Sequence, residues 1–279
     1  MEKTSRSRGR PKSFDGKAAS KNTIQSLENA LDVLDVLANS EGLTLTEVST
    51  ILSRSPSSIY RVLNTFERRS IVESDPTTQA WHIGPAAFRL GSSFLRRSGI
   101  VERSRPALRW LMEETGETAN LGIARSGSVL FVSQVETHET IRAFFAPGTQ
   151  SPMHASGIGK ALLSRYTPAQ LDSFLRNNPL KRFTAHSITD AQLLRAELKE
   201  IRIREFALDN EERTVGMRCV AAPIIDMHGE AVAGISVSGP TNRMTETQLD
   251  RISMLVCEAA ENLSEGLGAK SRKAEDSAS

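Results

Sequence analysis

Residues 44–66 read TLTEVSTILSRSPSSIYRVLNTF, and the order of signals in this stretch decides the fold of the N-terminal third of the chain. Thr44-Leu45-Thr46-Glu47 is a capping box, with Glu47 placed to reach back to the cap. Leu45, Val48 and Leu52 then predict a short helix. Ser55-Pro56 supplies the cap and first-turn proline of the next helix, which buries Ile59, Val62, Leu63 and Phe66. Upstream, Ile24, Leu27, Leu31, Leu34 and Ala38 recur at helical spacing and predict an amphipathic helix, with a break at Gly42. Downstream, Ile71-Val72-Glu73 and Ala80-Trp81-His82-Ile83 flank Asp75-Pro76-Thr77-Thr78, which predicts a β-hairpin. Three helices followed by a hairpin in about 60 residues is the element order of a winged helix-turn-helix.

On the helix that starts at Pro56, Ser57, Ser58, Arg61 and Thr65 lie along one stripe opposite the buried face. Arginine reaches guanine edges or phosphates, and serine hydroxyls bond phosphate or base. These four, with Tyr60, are the candidate DNA-binding residues of the folded part; an ordinary solvated helix face carries the same pattern. Residues 1–22 are rich in Ser, Lys, Arg and Gly without apolar periodicity and are expected to be a disordered arm. Within them Arg8-Gly9-Arg10-Pro11-Lys12 is similar to the core of an AT-hook. There glycine allows close approach, and Arg8 and Arg10 would enter a narrow A·T minor groove; a solubilising basic tail reads the same way. The net charge of +2 is unevenly spread. The arm has seven basic residues against two acidic (+5), residues 23–97 have seven against eight (−1), and the remainder is −2. That asymmetry points to a polyanion contact at the N-terminal end.

Ala87, Leu90 and Phe94 continue a helical pattern over residues 86–97, expected to be an inter-domain linker helix. The second domain is expected over 98–268, after a winged helix-turn-helix over 23–85, with a frayed tail at 269–279. Its first helix carries Leu108, Leu111 and Met112 and ends near Gly116. Strands over 119–124 and 129–135 flank the turn signal Arg125-Ser126-Gly127-Ser128, and a further strand is expected from Ile141 to Phe145. Helices follow over 157–165, from Thr167-Pro168, and over 189–205. Apolar strands over 219–225 and 231–238 are joined by Asp226-Met227-His228-Gly229. The closing helix, 245–267, puts Leu249, Ile252, Val256, Ala259 and Leu263 on one face. The reading is α+β with an antiparallel sheet.

Four blocks carry a resemblance: SPMHASGIGKALL (151–163), DNEE (209–212), GMRCVAAPI (216–224) and ISVSGP (235–240). They resemble the signature blocks of the IclR family of bacterial transcriptional regulators, and the likeness runs over nearly everything from Thr23 to Gly268. It implies a winged helix-turn-helix, a linker helix and a GAF-like effector-binding domain. It also implies a homodimer or tetramer that reads double-stranded DNA at an inverted-repeat operator. In glyoxylate-responsive members the effector is held by backbone amides of the Gly-x-Gly-Lys block and by Asp, Cys and Ser side chains. The matching positions are Gly157, Ile158, Asp209, Cys219, Ser236 and Ser238, with Met153 as an apolar wall. The implied effector is a small carboxylate, glyoxylate first, with pyruvate or an aromatic acid as alternatives.

The chemistry of these positions agrees with that implication. Amides at a helix start favour an anion. Ser236 and Ser238 are two apart on a strand, so both hydroxyls face one side. Cys219 is small and a weak donor. Asp209 beside a carboxylate is expected to be protonated, to bond a hydrated aldehyde or to meet a cation. Plainer readings stand beside these: glycines for tight packing, a core cysteine, surface serines on an edge strand. The chain departs from the family pattern at three places: Ser53-Arg54 in the helix-turn-helix turn and Gln79 at the wing tip, where glycine is usual, and Ser70-Ile71 for a Gly-aromatic pair.

Other classes are poorly supported. No run approaches the ~18 apolar residues of a membrane span, and the basic, polar N-terminus lacks the apolar core of a secretory signal. Cys219 and Cys257 cannot build a disulfide framework or a four-cysteine zinc site, so a reducing cytoplasm is expected. Gly157-Ile158-Gly159-Lys160 lacks phosphate-loop spacing, since Ala161 follows the lysine. Cys219 as nucleophile would need His154 or His228 as base, and nothing in the sequence places either beside it. Cys219, Asp209 and a histidine have no paired metal-ligand spacing. No enzyme activity, cofactor or metal is expected; a small-molecule module without DNA activity is the remaining alternative.

Overall fold

The computed structural model describes residues 23–143 and 145–269, the side chains of 92–98 excepted. The chain divides into two compact units between Phe94 and Leu95.

The first unit contains α1 (Gln25–Ala38), β1 (Leu43–Thr44), α2 (Leu45–Ile51), α3 (Pro56–Glu67), β2 (Val72–Ser74) and β3 (Ala80–Ile83). Thr44 and Glu47 form the reciprocal capping box, and the Ser55 hydroxyl accepts from the Ser58 amide above Pro56. Val33, Leu37, Val48, Ile59, Leu63, Val72 and Trp81 make the core. Val62 and Phe66 pack on it half-buried. The expected apolar face of α1 is corrected. The core takes Val33 and Leu37 with Leu34 beside them, whereas Ile24, Leu27 and Leu31 are 61%, 58% and 53% exposed. The helix carries two apolar stripes, and the one nearer its C-terminal end meets α2 and α3. A strand missed in the sequence, β1, pairs antiparallel with β3 and gives a sheet of order β1-β3-β2. Two residues are too few to show alternation.

The three departures from glycine keep glycine's geometry. Ser53, Ser70 and Gln79 have φ of 51°, 55° and 56°. An L-residue there costs roughly 1–2 kcal/mol in the left-handed region, so the turn and the wing form with some strain. Residues Pro85–Ser98 then form α4.

The second unit contains α5 (Ile100–Thr115), β4 (Thr118–Arg125), β5 (Ser128–Val135), β6 (Gln150–Pro152), a 3-10 turn (Met153–Ala155), α6 (Gly157–Leu163), α7 (Pro168–Asn177) and α8 (Ala191–Arg204). It ends with β7 (Ala207–Asn210), β8 (Met217–Ile225), β9 (Ala231–Pro240) and α9 (Glu246–Gly266). The sheet order is β6-β5-β4-β9-β8-β7, with every neighbouring pair antiparallel. The strand expected over 141–145 is absent among the described residues. Ile141 is exposed, Arg142 pairs with Glu136, and the Phe145 ring stacks on Phe131 at 4.6 Å, so apolar side chains serve stacking rather than a ladder. β6 and β7 take the sheet's two edges instead.

Register sets the two faces of the sheet. Ala119, Leu121, Val220, Ala222, Ile235 and Val237 point one way, where α5 and α9 pack. Thr118, Asn120, Gly122, Gly234, Ser236, Ser238, Cys219, Ala221 and Asp209 point the other way, where α6 packs. Among the described residues no helix is long and apolar enough to cross a membrane.

Candidate functional site

On α3, the buried face of Ile59 and Leu63 leaves Ser57, Ser58, Tyr60, Arg61 and Thr65 exposed on the same helix. The Thr65 hydroxyl donates back to the Arg61 carbonyl at 2.7 Å, which leaves its oxygen as an acceptor. Ser57 lies 3.3 Å from the capping Ser55 hydroxyl. Arg54, the basic residue of the turn, is committed elsewhere. Its guanidinium donates to the Asn29 carbonyl at 2.9 Å and pairs with Asp32 at 2.7 Å, fixing the turn to α1. The structure therefore leaves Arg61 as the exposed cation in the middle of α3. Arg8 and Arg10, with the arm to which they belong, lie outside the described residues.

The second candidate site lies on the α6 face of the six-stranded sheet. Two glycines bring α6 close. A Cβ on Gly157 would sit 2.8 Å from Cys219 Sγ, and one on Gly159 would run into the backbone of Met153. On the sheet, Gly122 and Gly234 are opposite each other and make room for Ile158. Beyond these glycines the same face turns polar. Register places Thr118, Ser238, Cys219 and Asp209 in one row across β4, β9, β8 and β7. Asn120, Ser236 and Ala221 form the next row.

Thr118, Asn120, Asp209, Ser236 and Ser238 are all buried, and Cys219 is half-buried. Ser236 is 0% exposed, and its Oγ makes no well-formed hydrogen bond among the described residues, only a weak contact with the Cys219 thiol; Thr118 Oγ1 has no partner among them. Such orphans are uncommon, because a buried hydroxyl without a partner costs about 1–3 kcal/mol. Ser238 Oγ accepts from Asn120 Nδ2 at 3.3 Å. Ser236 and Ser238 lie on β9, in the middle of the sheet, which overturns the edge-surface reading of these serines. The Ser156 hydroxyl caps α6 by accepting from the Gly159 amide at 3.3 Å, while the amides of Gly157 and Ile158 precede any intrahelical partner. Met153 is buried at the start of α6, in the core cluster with Ile158.

Burial pushes the Cys219 thiol up to about 11, with the nearby Asp209 charge adding to the effect, so it stays a neutral donor. His154 is turned to the Lys181 carbonyl at 2.9 Å, and His228 is exposed in the β8–β9 turn. Burial also raises the Asp209 carboxyl, against the amides of Glu212 and Arg213 and the charge of Lys160. Its Oδ1 accepts from the Glu212 amide at 2.8 Å.

One buried ionic cluster was missed in the sequence. Lys160, on α6, is 0% exposed and bonds the Glu212 carboxylate, the Leu208 carbonyl at 2.7 Å and Glu197 at 3.4 Å. Arg204 closes the far side on Glu197 at 2.7 Å. Burial pushes Glu212 up to about 7 despite Lys160. The cluster ties α6, which carries Gly157 and Ile158, to the 207–212 segment, which carries Asp209. The available signal was a single charge, Lys160, in a helix otherwise made of Gly, Ala, Ile and Leu. Thr118 and Asn120 were also missed; they take alternate positions of β4, Thr118 just outside the strand expected over 119–124 and Asn120 within it. Among the described residues no group of three or more His, Cys, Asp or Glu is arranged to hold a metal ion.

Comparison with known proteins agrees with both units. The family model described as the bacterial transcriptional regulator IclR C-terminal domain matches residues 92–265, and the IclR helix-turn-helix domain matches residues 26–76. The chain is 58% identical over 264 residues to the HTH-type transcriptional regulator BhcR of Paracoccus denitrificans (strain Pd 1222), covering 94% of this chain and 95% of that protein. It is 34% identical over 248 residues to the transcriptional repressor IclR of Escherichia coli (strain K12), covering 88% and 90%. The crystal structure of the Thermotoga maritima IclR matches with a TM-score of 0.74 at 30% identity, over 88% of this chain and 99% of that one.

Proposed function

Because the chain belongs to the IclR family of bacterial transcriptional regulators, we propose that it senses a small carboxylate, glyoxylate before others, on the polar α6 face of the sheet. The observation that carries this reading is Ser236 Oγ, fully buried without a well-formed hydrogen bond in the row between Asn120 and Ala221. On the same face stand short donors, the Ser238 hydroxyl and the Cys219 thiol, with Gly157 packed over Cys219 and Ala221 at the start of α6, whose first amides are those of Gly157 and Ile158. Such a lining suits a ligand with several acceptor oxygens on few carbons. Asp209, its carboxyl raised by burial, meets the effector through its carboxyl on the neighbouring edge strand. Met153 supplies the apolar wall.

DNA binding belongs to the first unit. Arg61 with Ser57, Ser58, Tyr60 and Thr65 meets the operator, and Arg8 and Arg10 reach the adjacent minor groove. The protein works in the cytoplasm as a homodimer or tetramer, so that two copies of α3 read an inverted repeat. The exposed stripe of Ile24, Leu27 and Leu31 supports association with a second copy. The effector prefers one of two conformations of the 98–268 domain, and α4 carries that preference to the recognition helices. The test is a calorimetric screen of the full chain against glyoxylate, pyruvate and benzoate. Saturable binding of glyoxylate ahead of the other two is expected; preference for benzoate, or no binding of any acid, overturns the reading.

A further inference from the structure

Asn120 is fully buried and has both ends of its amide engaged. Its Oδ1 accepts from Gln134 Nε2 at 3.0 Å, and its Nδ2 donates to Ser238 Oγ at 3.3 Å. Gln134 sits directly opposite Asn120 on β5, so the chain Gln134–Asn120–Ser238 crosses three adjacent strands on one face. The direction of this chain has a consequence for Ser238. A hydroxyl has one proton and two acceptor sites. With one acceptor site filled by Asn120, Ser238 keeps its proton for a partner elsewhere on the face, which is the Cys219 sulfur directly opposite on β8 until a better acceptor arrives. Thr118 stands opposite Ser238 in the β4–β9 register, and its buried Oγ1 has no partner among the described residues.

We infer that β4 is a specificity wall of the effector site: Thr118 is a direct ligand contact, and Asn120, held by Gln134, is a positioning residue that commits Ser238 to donate. This rests on the carboxylate-sensing reading and adds to it the direction of the hydrogen bonds. Hydroxyls of Thr118, Ser236 and Ser238 can each give a proton to a ligand's acceptor oxygens, while Asn120 fills one of the acceptor sites that a ligand amide or ammonium would use, so the wall favours a ligand rich in acceptor oxygens over one that presents donors.

The test is a double-mutant cycle on glyoxylate binding by the full chain, with Asn120→Leu, Ser238→Ala and the combination, each checked for an intact melting transition. Each single variant is expected to weaken binding ~10-fold, and the double variant no more than the worse single, because Asn120 acts through Ser238. Thr118→Val is expected to weaken binding by a similar factor. Gln134→Leu, which leaves Thr118, Asn120, Ser236 and Ser238 in place but frees the Asn120 amide to turn, is expected to weaken it ~3-fold and serves as the second arm if Asn120→Leu does not fold. Additive losses in the double variant, or unchanged binding in Thr118→Val and Gln134→Leu, overturn the inference. If the wild-type protein binds glyoxylate and Ser236→Ala abolishes it while every β4 variant is silent, only this inference fails. If the wild type binds none of the acids, the sensing reading fails and this inference with it.

Discussion

The two units use serine in opposite ways. On α3, Ser57 and Ser58 are exposed and surround an exposed arginine, so any partner must come to the surface with charge of its own. On β9, Ser236 and Ser238 are buried in the middle of a six-stranded sheet, so any partner must be small and must replace water completely. The same hydroxyl is therefore open to a large partner in one unit and only to a small one in the other. Burial, not residue type, makes the difference. It also sets how each unit responds to substitution: the surface site is tolerant in stability, and the buried site is not.

The largest effect expected from that contrast is on folding. Gly159→Ala places a methyl against the Met153 backbone, which cannot move without α6, and should destabilise the second unit by roughly 3 kcal/mol or more in denaturant unfolding. A variant as stable as wild type would show that α6 is not held against Met153 as described. The next effect is a pH dependence. The Glu212 carboxyl is raised from 4.5 to about 7, so the folded protein holds a proton there that the unfolded chain loses above pH 4.5. Wild-type stability therefore falls as pH rises from 4.5 to about 7 and levels off above, by on the order of 3 kcal/mol from this group. Glu212→Gln has no such proton to lose. Against wild type, its melting temperature should move in the variant's favour across that window; a constant difference from pH 5 to pH 8 would contradict the burial of this carboxyl between Lys160, Glu197 and Asp209.

On the surface side, Arg61→Ala should weaken operator binding by roughly 1–3 kcal/mol while leaving the melting curve unchanged, as measured by gel shift and calorimetry. A loss of stability of the same size would mean that α3 is a structural face. The smallest effect concerns strain. Gln79→Gly relieves a left-handed residue at the wing tip, against the greater freedom of an unfolded glycine, and should raise stability by about 0.5 kcal/mol.

Much of this was legible in the chain because local signals were strong. Thr44, Glu47, Ser55 and Pro56 mark two helix starts with side chains that act within four residues, and the structure has both caps as read. Positions 53, 70 and 79, where glycine is usual in the family, carry the positive φ that glycine would supply, so a departure in sequence was not one in geometry. What escaped was decided by partners far along the chain. The choice between two apolar stripes on α1 depends on where α2 and α3 pack. Ile141–Phe145 looks like a strand, but its aromatic ring finds Phe131 rather than a ladder. Lys160 meets Glu212 across 52 residues, and Asn120 meets Ser238 across 118, so neither pairing has a local trace. Motif resemblance marked Ser236 and Ser238, but register with β4 was needed to show the polar wall beside them.

The central claim is that a buried hydroxyl on β9 without a well-formed hydrogen bond reports a small carboxylate to an exposed DNA-reading helix. The most direct measurement is a glyoxylate titration of the protein bound to its own upstream region, followed by gel shift for wild type and Ser236→Ala. Without glyoxylate the two proteins should bind the DNA equally; with it, the wild-type complex should respond at a concentration ~10-fold lower than the variant's. Equal midpoints for the two proteins, or a wild-type complex indifferent to glyoxylate, would contradict it.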